Sequence, residues 1–430
     1  MMRALRAWNR FWFEPSPPAD LGVCRLLFFA GLFFFYLPVN FAAWGGVSRA
    51  FWMPLPIFAS LHLGPAPSGI LEGLATVWRL ALVLSAIGLF TRASMAVAAA
   101  LGFYLLGLPH NFGHVYHFDA LLVLALVSLA CSRAGDAWSV DALMAPQPAR
   151  PSAEYTWPIR MVWTLMALVF FAAGIAKLRH GGTAWIASTN MSVILLRSAY
   201  HTSDADPITA LGLRVASHAW LSRALAAAAV VVELGFITSL ISRTARRVFV
   251  PAGVALLVGI RILMGPTFGG FLIANVFWVP WQALGLRVAR WSRAGALSLL
   301  YDGACGLCTT TAVTVRRLDL FGRVALIDVS RDWPIAAARF PWLDQATCLT
   351  DVHLITSKGR TAVGFDAYRE LAKALPIGWL AVPFLFMPGL RAAGRVTYRS
   401  VADHRTRTTC TIDPVARHAA APAHDEAAPM

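Results

Sequence analysis

Eight apolar runs, each close to the length at which a helix crosses a bilayer, constrain this chain more than any other feature. They lie near Leu21–Val39, Leu71–Phe90, Ala93–Leu108, Val115–Cys131, Trp157–Ile175, Leu221–Ile241, Val248–Met264 and Phe268–Leu284. A spanning helix needs about 20 predominantly apolar residues. The fourth and eighth runs are short, so the count of spans could differ by one. The chain is 58% hydrophobic and 14% charged, and so much apolar surface cannot be hidden in one soluble core. The expected fold is therefore an α-helical polytopic membrane domain of about eight spans over residues 13–290. A small α/β domain follows over 296–410, and residues 411–430 form an Ala/Pro/His-rich tail read as disordered.

The first run follows Arg3, Arg6 and Arg10, as a signal peptide would. No small-residue cleavage site sits close behind it and more spans follow, so it reads as an uncleaved anchor. Ala184–Ala199 is amphipathic and reads as one interfacial or re-entrant helix. Phe41–Ile70, with Pro54, Pro56, Pro65 and Pro67, is a structured connection.

The net charge is +15, nearly all of it arginine. Arginines cluster at the ends of the apolar runs, which is the positive-inside pattern and not a nucleic-acid surface. With eight spans, one side receives Arg3, Arg6, Arg10, Arg92, Arg133, Arg150, Arg243, Arg246, Arg247, Arg287, Arg290 and Arg293. Both termini are then cytoplasmic in a multi-pass protein of the cell (inner) membrane. The lipid bilayer is the first expected partner, and no nucleic-acid partner is expected. Arg79, Glu233 and Arg261 fall in or near apolar runs. Unpaired charge in hydrocarbon is costly, so they should face each other or a cavity.

After Arg293 the pattern changes. Ala296–Tyr301 reads as a buried strand, Asp302-Gly303 as a turn, Cys305–Leu318 as a helix and Val324–Val329 as a second strand. Strand, Cys-x-x-Cys, helix and strand in that order are the pattern of a thioredoxin-like redox domain. Val352–Thr356 and Thr361–Val363 read as a hairpin, and Phe365–Leu375 as a helix. Cys305 and Cys308 are three apart at a helix start, so they share a face. The unpaired N–H groups of the first turn favour a thiolate there, which makes Cys305 the attacking sulfur and Cys308 the resolving one. Asp302 is either an N-cap or turn residue, or the proton acceptor for the resolving thiol. The dithiol needs no cofactor, and its partner is a thiol or disulfide protein or a small thiol. Zinc is the competing reading. The remaining ligands would be Cys348, His353, His404 and Cys410, with no second Cys-x-x-Cys, so no metal site is expected. Cys24 and Cys131 lie in or beside spans and read as inert.

Tyr301-Asp302-Gly303-Ala304-Cys305-Gly306-Leu307-Cys308 resembles the opening motif of the DCC family of thiol-disulfide oxidoreductases, named for Asp-x-x-Cys-x-x-Cys. Gly364-Phe365-Asp366-Ala367, Pro388-Gly389, and Val396–Arg405 with Tyr398 and His404 resemble that family's C-terminal half. The resemblance runs over roughly Leu297 to Arg405 and implies thiol-disulfide exchange. No proline precedes Val352, where thioredoxins carry a cis-proline beside the dithiol.

The membrane part carries two polar stretches, His110–His117 and Ala173–Lys177. A lysine at a membrane edge ordinarily snorkels, but one held in a dry pocket can act as a base. Phe170–Lys177 and Trp138-Ser139-Val140-Asp141 resemble segments of the HTTM domain shared with vitamin K-dependent gamma-carboxylases. This resemblance runs from about Phe13 to Arg290. It implies that Lys177 falls on the position of the carboxylase's catalytic base and His117, or failing that His114, on that of a functional histidine. The functions that follow are a membrane-bound thiol-disulfide oxidoreductase, or a membrane enzyme acting through His117 and Lys177 on a quinone-type lipid cofactor or another lipid-soluble substrate. A third is a non-enzymatic scaffold or transporter with a metal-binding soluble domain.

Overall fold

The computed structural model describes residues 2–113, 117–144, 150–201, 207–291, 297–319, 323–375, 378, 381–387 and 389–404; within these, residues 2–4, 117–118, 200–201, 207–210, 286 and 288–291 are described in backbone only. The expected tail at 411–430 lies outside them. The chain divides into two compact units, Met1–Leu284 and Gly285–Met430.

In the first unit, Met2–Phe13 forms α1 and Pro18–Tyr36 forms α2, with Pro18 in the first turn where its missing N–H costs nothing. Ser68–Ile87 is α3 and ends on Gly88 in the left-handed conformation (φ 72°). Thr91–Gly107 is α4. Its first amides are capped from afar: the Asp141 carboxylate accepts the N–H groups of Phe90 (3.0 Å) and Thr91 (2.7 Å). His117–Ala130 is α5 and Thr156–Gly181 is α6. Ala184–Ala187 (α7) and Asn190–His201 (α8) follow, then Ala219–Gly235 (α9), Arg243–Met264 (α10), Gly269–Ala274 (α11) and Trp281–Trp291 (α12).

Among the described residues, six helices are long and apolar enough to cross a membrane: Pro18–Tyr36, Ser68–Ile87, Thr91–Phe112, Ala153–Gly181, Ala219–Leu240 and Arg243–Met264. The fourth and eighth expected runs are shorter apolar helices, Asp119–Ala130 and Gly269–Trp278. Gly113 (φ 95°) interrupts the chain before α5. After α11 the helix tightens into a 3-10 turn at Asn275–Trp278, just before Pro280. The single amphipathic helix expected over Ala184–Ala199 is instead two helices. Ser188 is extended, and its hydroxyl accepts the Asn190 N–H (3.1 Å), which starts a new helix. Phe34, Val231 and Val248 point outward from the spans and are more than half exposed, as lipid-facing side chains would be.

The core of this unit is aromatic. Trp78 is fully buried and donates its indole N–H to Ala98 O (2.9 Å). Gly270 lets α11 close on α5, because a Cβ there would lie 2.6 Å from Leu122 Cδ1. Arg25, also fully buried, donates to the carbonyls of Ser85, Ala86, Ala134 and Trp138. Those carbonyls belong to a helix end and a turn, where no intrahelical partner exists.

In the second unit the strands are β1 (Leu297–Tyr301), β2 (Val324–Asp328), β3 (His353–Ile355) and β4 (Thr361–Val363). They form one sheet in the order β2-β1-β3-β4. β1 and β2 are parallel with Leu299 opposite Leu326, whereas β3 is antiparallel to both β1 and β4. Gly306–Leu318 (α13) makes the crossover from β1 to β2, and Trp333–Arg339 (α14) and Gln345–Thr350 (α15) lead on to β3. Phe365–Ala374 (α16), Val382–Leu385 (α17) and Leu390–Asp403 (α18) follow β4. Alternation along β1 divides the core. Leu299 packs with Val315 of α13 and Ala367 and Leu371 of α16, and Leu300 packs with Ala336 of α14 and Cys348 of α15.

Candidate functional site

Asp302 leaves β1 and turns the chain. Its Oδ1 accepts the Ala304 N–H (3.0 Å) and its carbonyl accepts the Cys305 N–H (3.2 Å). This is an Asx turn, so Asp302 is a turn residue and not the cap of α13. The Asp302 side chain is nonetheless buried. Gly303 donates its N–H to Asp328 Oδ1 (2.9 Å), and a Cβ on Gly303 would lie 1.9 Å from Asp328 Oδ2. The first x of the motif can only be glycine while that carboxylate stays in place.

Cys305 is itself the N-cap of α13, one residue earlier than a helix beginning at Cys305 would have it. Its extended backbone (φ −100°, ψ 120°) sets its Cβ beside the open end of the helix, where amide N–H groups point outward. Its carbonyl accepts both the N–H and the hydroxyl of Thr309 (3.0 Å each). Cys308 lies in the first turn of the helix. Both cysteines are almost wholly buried and pack with Leu299, Val315, Val352 and Leu354.

A cavity of about 370 Å³ opens beside them between α13, α16 and α18. Cys308, not Cys305, forms part of its wall, with Thr311, Val352, Tyr368, Thr397 and Tyr398. The Tyr398 hydroxyl accepts the Val352 N–H (3.1 Å) at the start of β3. α18 is seated on α16 by close approach: a Cβ on Gly394 would lie 2.2 Å from the Phe365 ring. Charge seats it too, since Asp366 accepts from Arg369, Arg391 and Arg395. The Arg391 guanidinium, with Arg395 and Arg369, holds the Asp366 carboxyl well below the usual carboxylate range. A larger cleft of about 1350 Å³ surrounds these arginines and reaches neither cysteine. The smaller cavity is the one that reaches the dithiol.

Cys348 lies across the sheet, in the core with Leu300 and Ile355, where burial pushes its thiol pKa up. It cannot share a metal ion with the dithiol on the opposite face. Cys410 lies outside the described residues, as do Pro388 and Arg405 of the C-terminal resemblance. Among the described residues no three His, Cys, Asp or Glu side chains converge as metal ligands would.

Two polar clusters lie in the membrane unit. Lys177 Nζ is 2.7 Å from both carboxylate oxygens of Glu233 and 5.6 Å from the centre of the Trp185 ring. Glu233, expected to face Arg79, Arg261 or a cavity, pairs with Lys177. Arg79 donates to Tyr36 O (3.3 Å) and Val39 O (2.6 Å). The second cluster is His110, whose Nε2 is 2.9 Å from Asp119 Oδ2, with Tyr36 donating its hydroxyl to Asp119 Oδ1 (3.2 Å). The His117 side chain and all of His114 lie outside the described residues. Asp141 of the Trp-Ser-Val-Asp segment acts as the cap of α4.

A helical membrane unit joined to a soluble unit with a buried dithiol at a helix start defines a membrane protein of the thiol-disulfide type. The family comparison makes this specific. Residues 13–262 match the HTTM domain, more than half of the chain, and the chain belongs to that family. Residues 299–411 match the DCC1-like thiol-disulfide oxidoreductase family. A 114-residue stretch is 28% identical to the chloroplastic "Uncharacterized protein At5g50100" of Arabidopsis thaliana, covering 26% of this chain and 52% of that one. The chain thus spans about half the length of that curated relative. No solved structure matches.

Proposed function

We propose that this chain is a membrane-anchored thiol-disulfide oxidoreductase in which Cys305 attacks, Cys308 resolves and Asp302 receives the proton of the resolving thiol. The observation that carries the reading is the placement of both sulfurs at the open end of α13, with Cys308 on the wall of an apolar cavity. The strand order β2-β1-β3-β4, with helices α13 and α16 on one face and α14 on the other, supports a thioredoxin-like fold. In the reducing direction the Cys305 thiolate attacks a substrate disulfide, forming a mixed disulfide and expelling one substrate thiolate. Cys308 passes its proton to Asp302 and attacks Cys305 Sγ, which releases the second thiolate. The substrate gains two electrons and the dithiol becomes a disulfide, to be reduced by a thiol donor. No other cofactor enters the reaction. The test is Cys308→Ser in the full chain. It should accumulate mixed disulfides through Cys305, and none should form when Cys305→Ser is added. Failure to capture any thiol partner would sink the proposal.

Eight crossings, with both termini cytoplasmic in the cell membrane, fit the contacts at one end of the bundle. Ser16 and Ser152 exchange backbone hydrogen bonds (3.2 and 3.0 Å), which sets the start of α6 beside the start of α2. This supports an even number of crossings between them, with the short α5 as the fourth. Asp20 Oδ1 accepts the Gln282 N–H (2.7 Å), bringing the chain back to the same end once more. The dithiol unit then follows on the α1 side, and Lys177, at the far end of α6, lies on the opposite side.

The Lys177–Glu233 pair supports a second reading, an acid–base site of the membrane unit for a quinone-like substrate, with His117 contributing. The two oxygens of Glu233 hold Lys177 Nζ in place, and the pair sets a proton donor and an acceptor side by side for exchange with a bound substrate. Labelling of Lys177→Cys and of Cys305 from each side of sealed vesicles tests the coupling of the two sites. Labelling of both from one side would unite them and overturn the eight-crossing topology.

A further inference from the structure

The starts of α6 and α10 meet around one indole. The Arg160 guanidinium carbon lies 4.0 Å, and that of Arg246 4.1 Å, from the centre of the Trp163 ring. The two charges are therefore no farther apart than about 8 Å, the Debye length at physiological salt, and repel each other. Trp278 stacks on Trp163 (4.4 Å, 6°), and Phe11 of α1 covers Arg160 at 5.2 Å. Cation–π contact offsets some of the desolvation of each guanidinium but leaves the charge uncancelled. Among the described residues neither arginine is ion-paired. Arg246 donates only to Ser239 O (3.1 Å), and the Nε–H of Arg160 is buried without an acceptor. Glu14 is within electrostatic reach of Arg160 but makes no salt bridge with it, and Arg243 adds a third positive charge nearby. Arg246 also stands in the first turn of its helix, where the helix dipole disfavours a cation.

From this arrangement we infer that Arg160 and Arg246 form a binding site for the phosphate of an anionic phospholipid. A second charge of like sign, a helix end of like sign and an unmet donor all call for the same missing group, a compact anion with several oxygens. Phosphate suits the planar guanidinium fork, which donates two parallel hydrogen bonds to it. A lipid is the source because the cluster lies at the ends of spanning helices beside α1. That helix carries Arg6 and Arg10 together with exposed Leu5, Trp8 and Phe13, the character of a helix lying in the headgroup region. Basic pockets between spanning helices on the positively charged side hold such headgroups.

The test uses the full chain in three settings: phosphatidylcholine nanodiscs, the same nanodiscs with phosphatidylglycerol, and the phosphatidylglycerol-containing nanodiscs with inorganic phosphate added. Lipid retained after detergent extraction is counted by native mass spectrometry. Phosphatidylglycerol should be retained over phosphatidylcholine and should not be displaced by inorganic phosphate. Arg160→Gln and Arg246→Gln should each reduce its retention about tenfold, the scale of one lost hydrogen bond to a charged group. Arg92→Gln, a surface arginine at the start of α4, should leave it unchanged. Displacement by inorganic phosphate would replace the lipid with a soluble anion and overturn the inference. Equal loss in Arg92→Gln would reduce it to general surface charge and overturn it as well. Should the Gln variants fail to fold, the wild-type comparison decides alone: equal retention of both lipids refutes the site.

Discussion

Arg25 in the membrane unit and Cys305 in the soluble unit are equally hidden from solvent, yet their surroundings are opposite. The Arg25 guanidinium is matched to four carbonyls, and Lys177, partly buried, is matched to both oxygens of Glu233. Cys305 and Cys308 are packed among Leu299, Val315 and Leu354. In hydrocarbon an unmatched charge is too costly to persist, so the membrane unit uses polar groups as ties between helices. A thiol is only weakly polar and can be stored dry at little cost. Dry storage also keeps it from adventitious oxidation. Under the proposed chemistry the dithiol unit opens at the cavity beside Cys308 to react, whereas the ties of the membrane unit stay closed.

Substitutions can break that contrast. The largest effect is expected for Arg25→Ala, which orphans carbonyls at about 1–3 kcal/mol each. Thermal unfolding of the purified full chain should show the membrane unit strongly destabilised, and an unchanged transition would remove the argument for polar ties. Next comes Tyr398→Phe, which removes the hydroxyl that accepts the Val352 N–H and should cost the dithiol unit about 1–2 kcal/mol. Because Tyr398 also walls the cavity, alkylation of Cys308 should become faster in this variant. Unaltered alkylation would mean that opening occurs elsewhere.

A smaller effect concerns pH. The arginines lower the carboxyl pKa of Asp366 in the folded state, so its contribution is fully present above the unfolded carboxylate value of about 3.9 and is lost as pH falls towards the folded value. Asp366→Asn should remove that acid limb and leave stability at neutral pH only slightly lower, because the arginines are exposed and screened. The smallest effect is at Cys348. With its thiol pKa raised by burial, it should resist alkylation in the native protein and react once unfolded.

The long spans could be read directly, because twenty apolar residues in sequence have few other places to go. The fourth and eighth runs could not be measured so well, since Gly113 and Pro280 act on helix ends and leave the composition of the runs untouched. The dithiol was legible because its chemistry is local: Cys305 and Cys308 share one turn. The ion pair of Lys177 with Glu233 was not. Both residues stood out in the sequence, but their 56-residue separation places them on different helices whose packing no local pattern encodes. Arg25 passed unnoticed inside an apolar run, since nothing near it in sequence announces the carbonyls that receive it. The seating of α18 was hidden likewise. Asp366 belonged to a recognisable segment, but its arginines at 391 and 395 gather only when α18 folds back on α16.

The Asp20–Gln282 hydrogen bond carries a consequence for how such a chain can be assembled. It fastens the beginning of the membrane bundle to its end, so the bundle is closed on itself much as a ring is. A circular permutant that joins the two ends by a short linker and opens the chain in the 145–149 connection should retain the native helix packing. For the same reason a second module can be appended after α12 without disturbing any interior helix. The architecture is therefore a socket into which other soluble domains could be fitted by recombination at a single point.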